Sequence, residues 1–247
     1  TLLHDDIMDN AAVRRGKPAV HRKWGVNSAI LSGDAMMIYS YRLLEQADPA
    51  ILPRIFRIFN DTSLKVCEGQ QYDMDFEALE RVPMEDYLHM ISLKTAVLLA
   101  GAAVIGAVCG GASQEDCDRI YTFATELGMA FQIQDDILDY TRTAQTGKPA
   151  NNDLREGKIT LPLLAVLDKV PAERRTELLG RLACCHDDEE SVEYLQRTVE
   201  NEGGLTFAAE VMRSYIARAV EMLSEYEASD YRTALANLCA YIAERDR

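Results

Sequence analysis

The sequence offers little to a zinc site, a nucleic-acid backbone or a bilayer. Its six cysteines, Cys67, Cys109, Cys117, Cys184, Cys185 and Cys239, include no Cys-x-x-Cys pair. They read as reduced core thiols of a cytoplasmic protein, and structural zinc is not expected. Positive charge is short: 26 Lys and Arg stand against 40 Asp and Glu, a formal charge of −14. That balance disfavours a polyphosphate backbone as partner and leaves no polybasic membrane patch. The longest apolar run, Ala96 to Gly111, falls short of the roughly 20 residues that a membrane span requires. Rich in Ala and Gly, it reads as a helix packed closely inside a bundle, and no stable membrane insertion is expected. Alternation of β-branched residues is scarce, which argues against a sandwich or barrel. Repeats, linkers and low-complexity segments are all missing.

What the 247 residues do contain, at 48% hydrophobic, is material for a substantial core. The apolar spacing predicts helices over 27–46, 52–79, 84–109, 113–140, 160–169, 172–184, 189–201, 205–226 and 230–245. Residues 1–9 read as the end of another helix. Residues 10–24 read as a basic connector broken by Gly16 and Pro18. Ser113, with Asp116 three residues on, marks a helix start. One all-α domain over residues 1–247 is the simplest account.

Two stretches carry unusual chemistry. His4-Asp5-Asp6-Ile7-Met8-Asp9 and Gln134-Asp135-Asp136-Ile137-Leu138-Asp139 each set an Asp-Asp-x-x-Asp pattern in an apolar helical run. Residues i and i+4 share a helix face, so Asp5 lies with Asp9 and Asp135 with Asp139. Like charges so close destabilise a helix unless something cationic compensates them. Carboxylate oxygens suit a hard divalent ion, and Mg²⁺ is commonly held by one or two of them together with substrate phosphates. A single copy could equally be a solvated acidic face. Two copies flanked by Leu, Ile, Met and Phe fit that reading poorly. The run His186-Asp187-Asp188-Glu189-Glu190 lacks such flanks and reads as a solvated turn and helix start.

Cations sit near these carboxylates in the chain. Arg14 and Arg15 follow the first cluster within a turn or two, where bidentate phosphate recognition would need them. Lys94, in an apolar run, either snorkels to solvent or meets an anion. Residues 141–158 form a polar, Gly- and Pro-broken loop bearing Lys148, Asp153 and Lys158. Loops of that length are commonly functional lids, and this one has either the chemistry of a phosphate grip or that of a solvated loop.

Taken in order, these segments resemble the trans-isoprenyl diphosphate synthases of the polyprenyl synthetase family. The resemblance rests on Leu3 to Asp9 with Arg14-Arg15-Gly16-Lys17-Pro18, then Trp24-Gly25, Ser32-Gly33-Asp34 and Glu68-Gly69-Gln70. Lys94-Thr95-Ala96, Phe131-Gln132 through Asp139, Gly147-Lys148-Pro149 and Asp153 to Lys158 complete it. Each motif is weak alone; the ordered set is specific and covers the chain. It implies an isoprenoid synthase-type helical bundle around a central cavity. It also implies condensation of an allylic diphosphate with isopentenyl diphosphate by ionisation, condensation and elimination.

By the same resemblance, Asp5, Asp6, Asp9, Asp135, Asp136 and Asp139 form the metal motifs, with Asp5, Asp9 and Asp135 as direct ligands and three Mg²⁺ bound beside the diphosphate. Arg14, Lys94, Lys148 and Lys158 would grip the allylic diphosphate, Arg15 would hold isopentenyl diphosphate, and Thr95 and Gln132 would line the reacting centre. A cytoplasmic homodimer is the family's habit. Its remaining isopentenyl diphosphate positions lie upstream of Thr1, where the chain opens in mid-motif, so preceding residues are expected. Thr1 is small and one turn before Asp5, which leans towards a C20 product rather than C15. A class I terpene cyclase would ordinarily carry a different second motif and lack the Lys-bearing loop. A non-catalytic subunit of a heteromeric synthase would typically have lost one Asp motif.

Overall fold

A computed structural model describes residues 2–76, 79, 81–141 and 151–245. The first acidic cluster begins on α1 (Leu2–Met8), and Asp9 follows in the turn that ends it, its N–H still donating to the Asp5 carbonyl at 2.9 Å. The predicted connector after it has structure of its own. β1 (Val13–Arg14) pairs antiparallel with β2 (Lys17–Pro18), and α2 (Val20–Trp24) follows. The turn residues Arg15 and Gly16 have φ of 53° and 72°, the left-handed pair that a tight two-residue hairpin requires. Strands of two residues are too short to show a period of two, so the sequence pattern could not reveal them.

The bundle proper comprises α3 (Val26–Leu44), α4 (Leu52–Phe76), α5 (Met84–Ile91), a π-helical segment (Ser92–Ala96), α6 (Val97–Cys109) and α7 (Gln114–Thr141). It continues with α8 (Asn152–Arg155), α9 (Leu161–Leu167), α10 (Ala172–Cys184), α11 (Glu189–Asn201), α12 (Gly204–Ser224) and α13 (Asp230–Glu244). Ser113 caps α7 as its spacing predicted: its Oγ accepts the Asp116 N–H at 3.1 Å. Asp188 caps α11 in the same way, so the 186–190 run is a turn and helix start. The loop expected over 141–158 contains the short α8; Gly147, Lys148 and Pro149 lie outside the described residues.

The axis of the molecule is α7. It packs against α6, α9, α12, α13 and the π segment, with Phe123, Leu127, Ala130 and Ile133 buried in the main core. A second core joins Tyr140 and Leu154 to α9, α10 and α11, and a third lies where α4, α6 and the start of α7 meet. Two expectations need correction. Cys67, Cys109 and Cys184 are exposed, so only Cys117, Cys185 and Cys239 are core thiols; the spacing around the other three fits a helix but not its inward face. The apolar helix is also longer than its Ala- and Gly-rich centre. Met84 to Cys109 runs 26 residues, sufficient in length and composition to cross a membrane. In this fold it packs against α4 and α7 and carries Lys94 into a cluster of carboxylates.

Candidate active site

Two helices bring the Asp clusters, and three other segments bring the cations that answer them. Across the hairpin, Arg14 Nε donates to Asp6 Oδ1 at 2.7 Å and its Nη2 reaches Asp5 Oδ2 at 3.1 Å. From the π segment, Lys94 Nζ lies 2.6 Å from Asp73 on α4 and 3.6 Å from Asp5. Just beyond α8, Lys158 Nζ lies 3.2 Å from Asp9 and 3.0 Å from Glu156. Lys94 therefore meets anions and does not snorkel away. Burial alone would lower the affinity of Lys94 and Lys158 for their protons, but the facing carboxylates more than offset it and both are raised.

The second cluster is built differently. Asp136 is only 1% exposed. Its Oδ2 accepts a short hydrogen bond from the Tyr87 hydroxyl and a longer one, 3.4 Å, from the Leu161 N–H. Its Oδ1 accepts from Gln132 Nε2 at 3.1 Å, and Gln132 Oε1 accepts from Thr95 Oγ1 at 2.8 Å. Burial pushes Asp136 up to about 7, against the downward pull of the Tyr87 and Gln132 hydrogen bonds. Asp139 accepts the Asp153 N–H at 2.9 Å and so pins α8 to the end of α7. Asp153 itself is raised, first by burial and then by the charges of Asp139 and Asp136. Asp135 points outward, its side chain 44% exposed, with Arg245 Nη2 at 3.6 Å.

The two motifs are thus bridged twice. Lys94 touches Asp5 while its neighbour Thr95 is tied through Gln132 to Asp136. Lys158 touches Asp9 while Asp153, five residues earlier, is tied to Asp139. Within each triad, burial separates two roles. Asp6 and Asp136 are sealed in by protein hydrogen bonds, whereas Asp5 and Asp135 keep exposed side-chain surface.

No group of three or more Asp, Glu, His or Cys among the described residues converges closely enough to hold an ion alone. That arrangement fits a hard cation which takes one or two carboxylates and completes its shell with water and phosphate oxygens.

Arg15 stands apart, exposed at the hairpin turn; Lys148 and Thr1 lie outside the described residues. Three residues of the site escaped sequence reading. Asp73 had a faint signal, since it falls in a polar stretch threaded through the apolar face of α4. Tyr87 and Arg245 had none, because the partners they meet are 49 and, for the Phe131 carbonyl that Arg245 also binds, 114 residues away.

A family model described as polyprenyl synthetase matches residues 1–200. A short chain isoprenyl diphosphate synthase of Methanothermobacter thermautotrophicus is 36% identical over all of this chain and 76% of its own length. A geranylgeranyl diphosphate synthase of Methanosarcina mazei is 35% identical, again over the whole chain and 75% of its own. Among solved structures, a polyprenyl synthase from Caulobacter crescentus complexed with calcium and isoprenyl diphosphate superposes with a TM-score of 0.91 at 30% identity, covering this chain fully and 74% of that one.

Proposed function

Because the chain belongs to the polyprenyl synthetase family, we propose that it is a trans-prenyl diphosphate synthase making an all-trans C20 product from an allylic diphosphate and isopentenyl diphosphate. The observation that carries this is the double bridge between two acidic motifs, with Arg14, Lys94 and Lys158 all turned into it. Such a site holds several cations and anions in balance, as a bound diphosphate with its ions demands. The C20 length is supported by the likeness to a geranylgeranyl diphosphate synthase.

The chemistry follows from these side chains. Arg14, Lys94 and Lys158 are charge-assisted donors that can pass from carboxylate to phosphate oxygens without leaving the site. Asp6 and Asp73 keep Arg14 and Lys94 aimed. Asp5, Asp9 and Asp135 would hold Mg²⁺, which when bound would supply Lewis-acid stabilisation of the charge on the departing diphosphate. Thr95 gives its hydroxyl hydrogen to Gln132, which leaves its oxygen lone pairs for positive charge at the allylic carbon. The allylic C–O bond breaks, the isopentenyl double bond forms the new C–C bond, and a proton is lost, the released diphosphate serving as base.

Incubating full-length protein with labelled isopentenyl diphosphate and geranyl or farnesyl diphosphate tests this. A C20 diphosphate in Mg²⁺, and none in EDTA, is expected. A C15 end product would overturn the chain length, and no elongation at all would overturn the reaction. Lys94→Met should raise KM for the allylic diphosphate about 10- to 100-fold, the equivalent of one charged hydrogen bond. Steady-state kinetics with isopentenyl diphosphate saturating would measure it.

We also propose a homodimer in which a second copy covers α3. Leu31, Met36, Ile38, Tyr39 and Leu43 stand exposed along that helix at 60–68%, unusual for a soluble helix. Sedimentation of Leu31→Glu/Ile38→Glu should show a monomer where the unaltered protein shows a dimer.

A further inference from the structure

We infer that Tyr87 is a positioning residue for prenyl transfer, its hydroxyl fixing the amide of Gln132 through Asp136 and the hydroxyl of Thr95 through Gln132. The inference rests on the prenyl-transfer reading above.

Tyr87 is 2% exposed, among the largest fully enclosed side chains. A phenol buried this deeply needs a hydrogen-bond partner. The one it has is a carboxylate of the second acidic motif, not a main-chain carbonyl of its own surroundings. That choice divides the two oxygens of Asp136. Oδ2 takes Tyr87 and the Leu161 N–H, and Oδ1 is left to Gln132 Nε2. An oxygen that accepts from Gln132 must face its NH₂ edge, which turns the carbonyl edge towards Thr95. There it accepts the Thr95 hydroxyl at 2.8 Å. A flipped amide would set two acceptors against each other at the Asp136 carboxylate and would reverse the Thr95 bond, turning the hydroxyl from donor to acceptor, so an ionised Asp136 fixes the order of donors along this chain.

Thr95 lies within the π-helical segment Ser92–Ala96. A π turn opens the regular backbone ladder and re-aims its side chains, so this segment depends on outside contacts for its orientation. The path from Tyr87 to Thr95 supplies one. Remove the hydroxyl and Asp136 Oδ2 keeps only the 3.4 Å bond from Leu161. The carboxylate is then free to turn, and the Gln132 amide loses its fixed sense.

Tyr87→Phe keeps the ring and deletes the hydroxyl. In the full-length protein its single-turnover rate should fall about tenfold, with KM for both diphosphates within about twofold of the starting value. Combined with Gln132→Ala, it should add less than about a further twofold, because the route through Gln132 is already broken. Losses that multiply in the double variant, or an unchanged rate in Tyr87→Phe, would overturn the role of Tyr87. If Tyr87→Phe does not fold, 3-fluorotyrosine at position 87 keeps shape and hydroxyl while changing donor strength; a shift in rate at constant KM supports the inference and an unchanged rate overturns it. An unaltered protein that fails to elongate prenyl diphosphates would instead sink the underlying reading of function.

Discussion

Asp5→Asn is expected to lower kcat by about three orders of magnitude, several kcal/mol of lost charge stabilisation at the departing diphosphate, while leaving thermal stability nearly unchanged. The separation follows from who else holds its neighbours. Arg14 touches Asp5 at 3.1 Å but also Asp6 at 2.7 Å, and Lys94 lies 3.6 Å from Asp5 but 2.6 Å from Asp73. Both cations keep their closer partner when Asp5 loses its charge, so no buried ion is stranded. The carboxylate is also partly exposed, at 20%, and its removal opens no cavity. What disappears is an oxygen donor on the face shared with Asp9. The Mg²⁺ concentration for half-maximal rate should rise more than tenfold, and a rate within tenfold of the starting enzyme would remove Asp5 from the metal site. Asp6→Asn should behave the other way. Asp6 is 2% exposed and neutralises Arg14, so its loss leaves a half-buried guanidinium with less compensation and should depress the melting temperature as well as the rate.

Much of this was legible in the chain because helices advertise themselves. The 3.6-residue period marked α10 and α11 at their observed ends, Ala172–Cys184 and Glu189–Asn201, and Ser113 announced α7. The acidic clusters were readable because carboxylates in an apolar run contradict their surroundings. What stayed hidden was everything decided by the neighbour and not by the run. The π segment at Ser92–Ala96 has ordinary helical composition, and nothing in its letters announces that Gly69 of α4 and Gly128 of α7 pack directly against its backbone. Tyr87 looks like any core aromatic until α7 brings Asp136 to its hydroxyl. The difference between Asp5 and Asp6, or between Asp135 and Asp136, is one of burial, and adjacent identical letters cannot express it. The Arg14-Arg15 pair divides for a related reason. A two-residue turn points Arg14 at the acidic cluster and leaves Arg15 at the tip, where φ is 53°.

Gly69→Ala should damage both fold and binding more than any other one-carbon change at the site. A Cβ at Gly69 would lie 2.2 Å from the Lys94 backbone nitrogen and 2.7 Å from the Leu93 carbonyl carbon. These are main-chain atoms, unable to rotate aside as a side chain would, and α4 and the π segment would have to part by about 1 Å to reach ordinary contact. Overpacking of this kind costs about 1–3 kcal/mol, which in a chain of this size corresponds to a melting temperature lower by roughly 2–12 °C. The seam that opens also carries the lysine proposed to grip the allylic diphosphate. Asp73 is one helical turn beyond Gly69 and holds Lys94 at 2.6 Å, so the same displacement loosens the lysine's aim and should raise KM for the allylic diphosphate several-fold. Gly106→Ala is the internal comparison. It lies in the last turn of α6 with nothing within 4 Å of its would-be Cβ, and alanine there should be neutral or stabilising by up to about 1 kcal/mol. Calorimetry and steady-state kinetics on the two variants separate a packing requirement from a general intolerance of alanine. If Gly69→Ala melted with the parent and bound substrate equally well, the close contact between α4 and the π segment would not be what sets Lys94 in place.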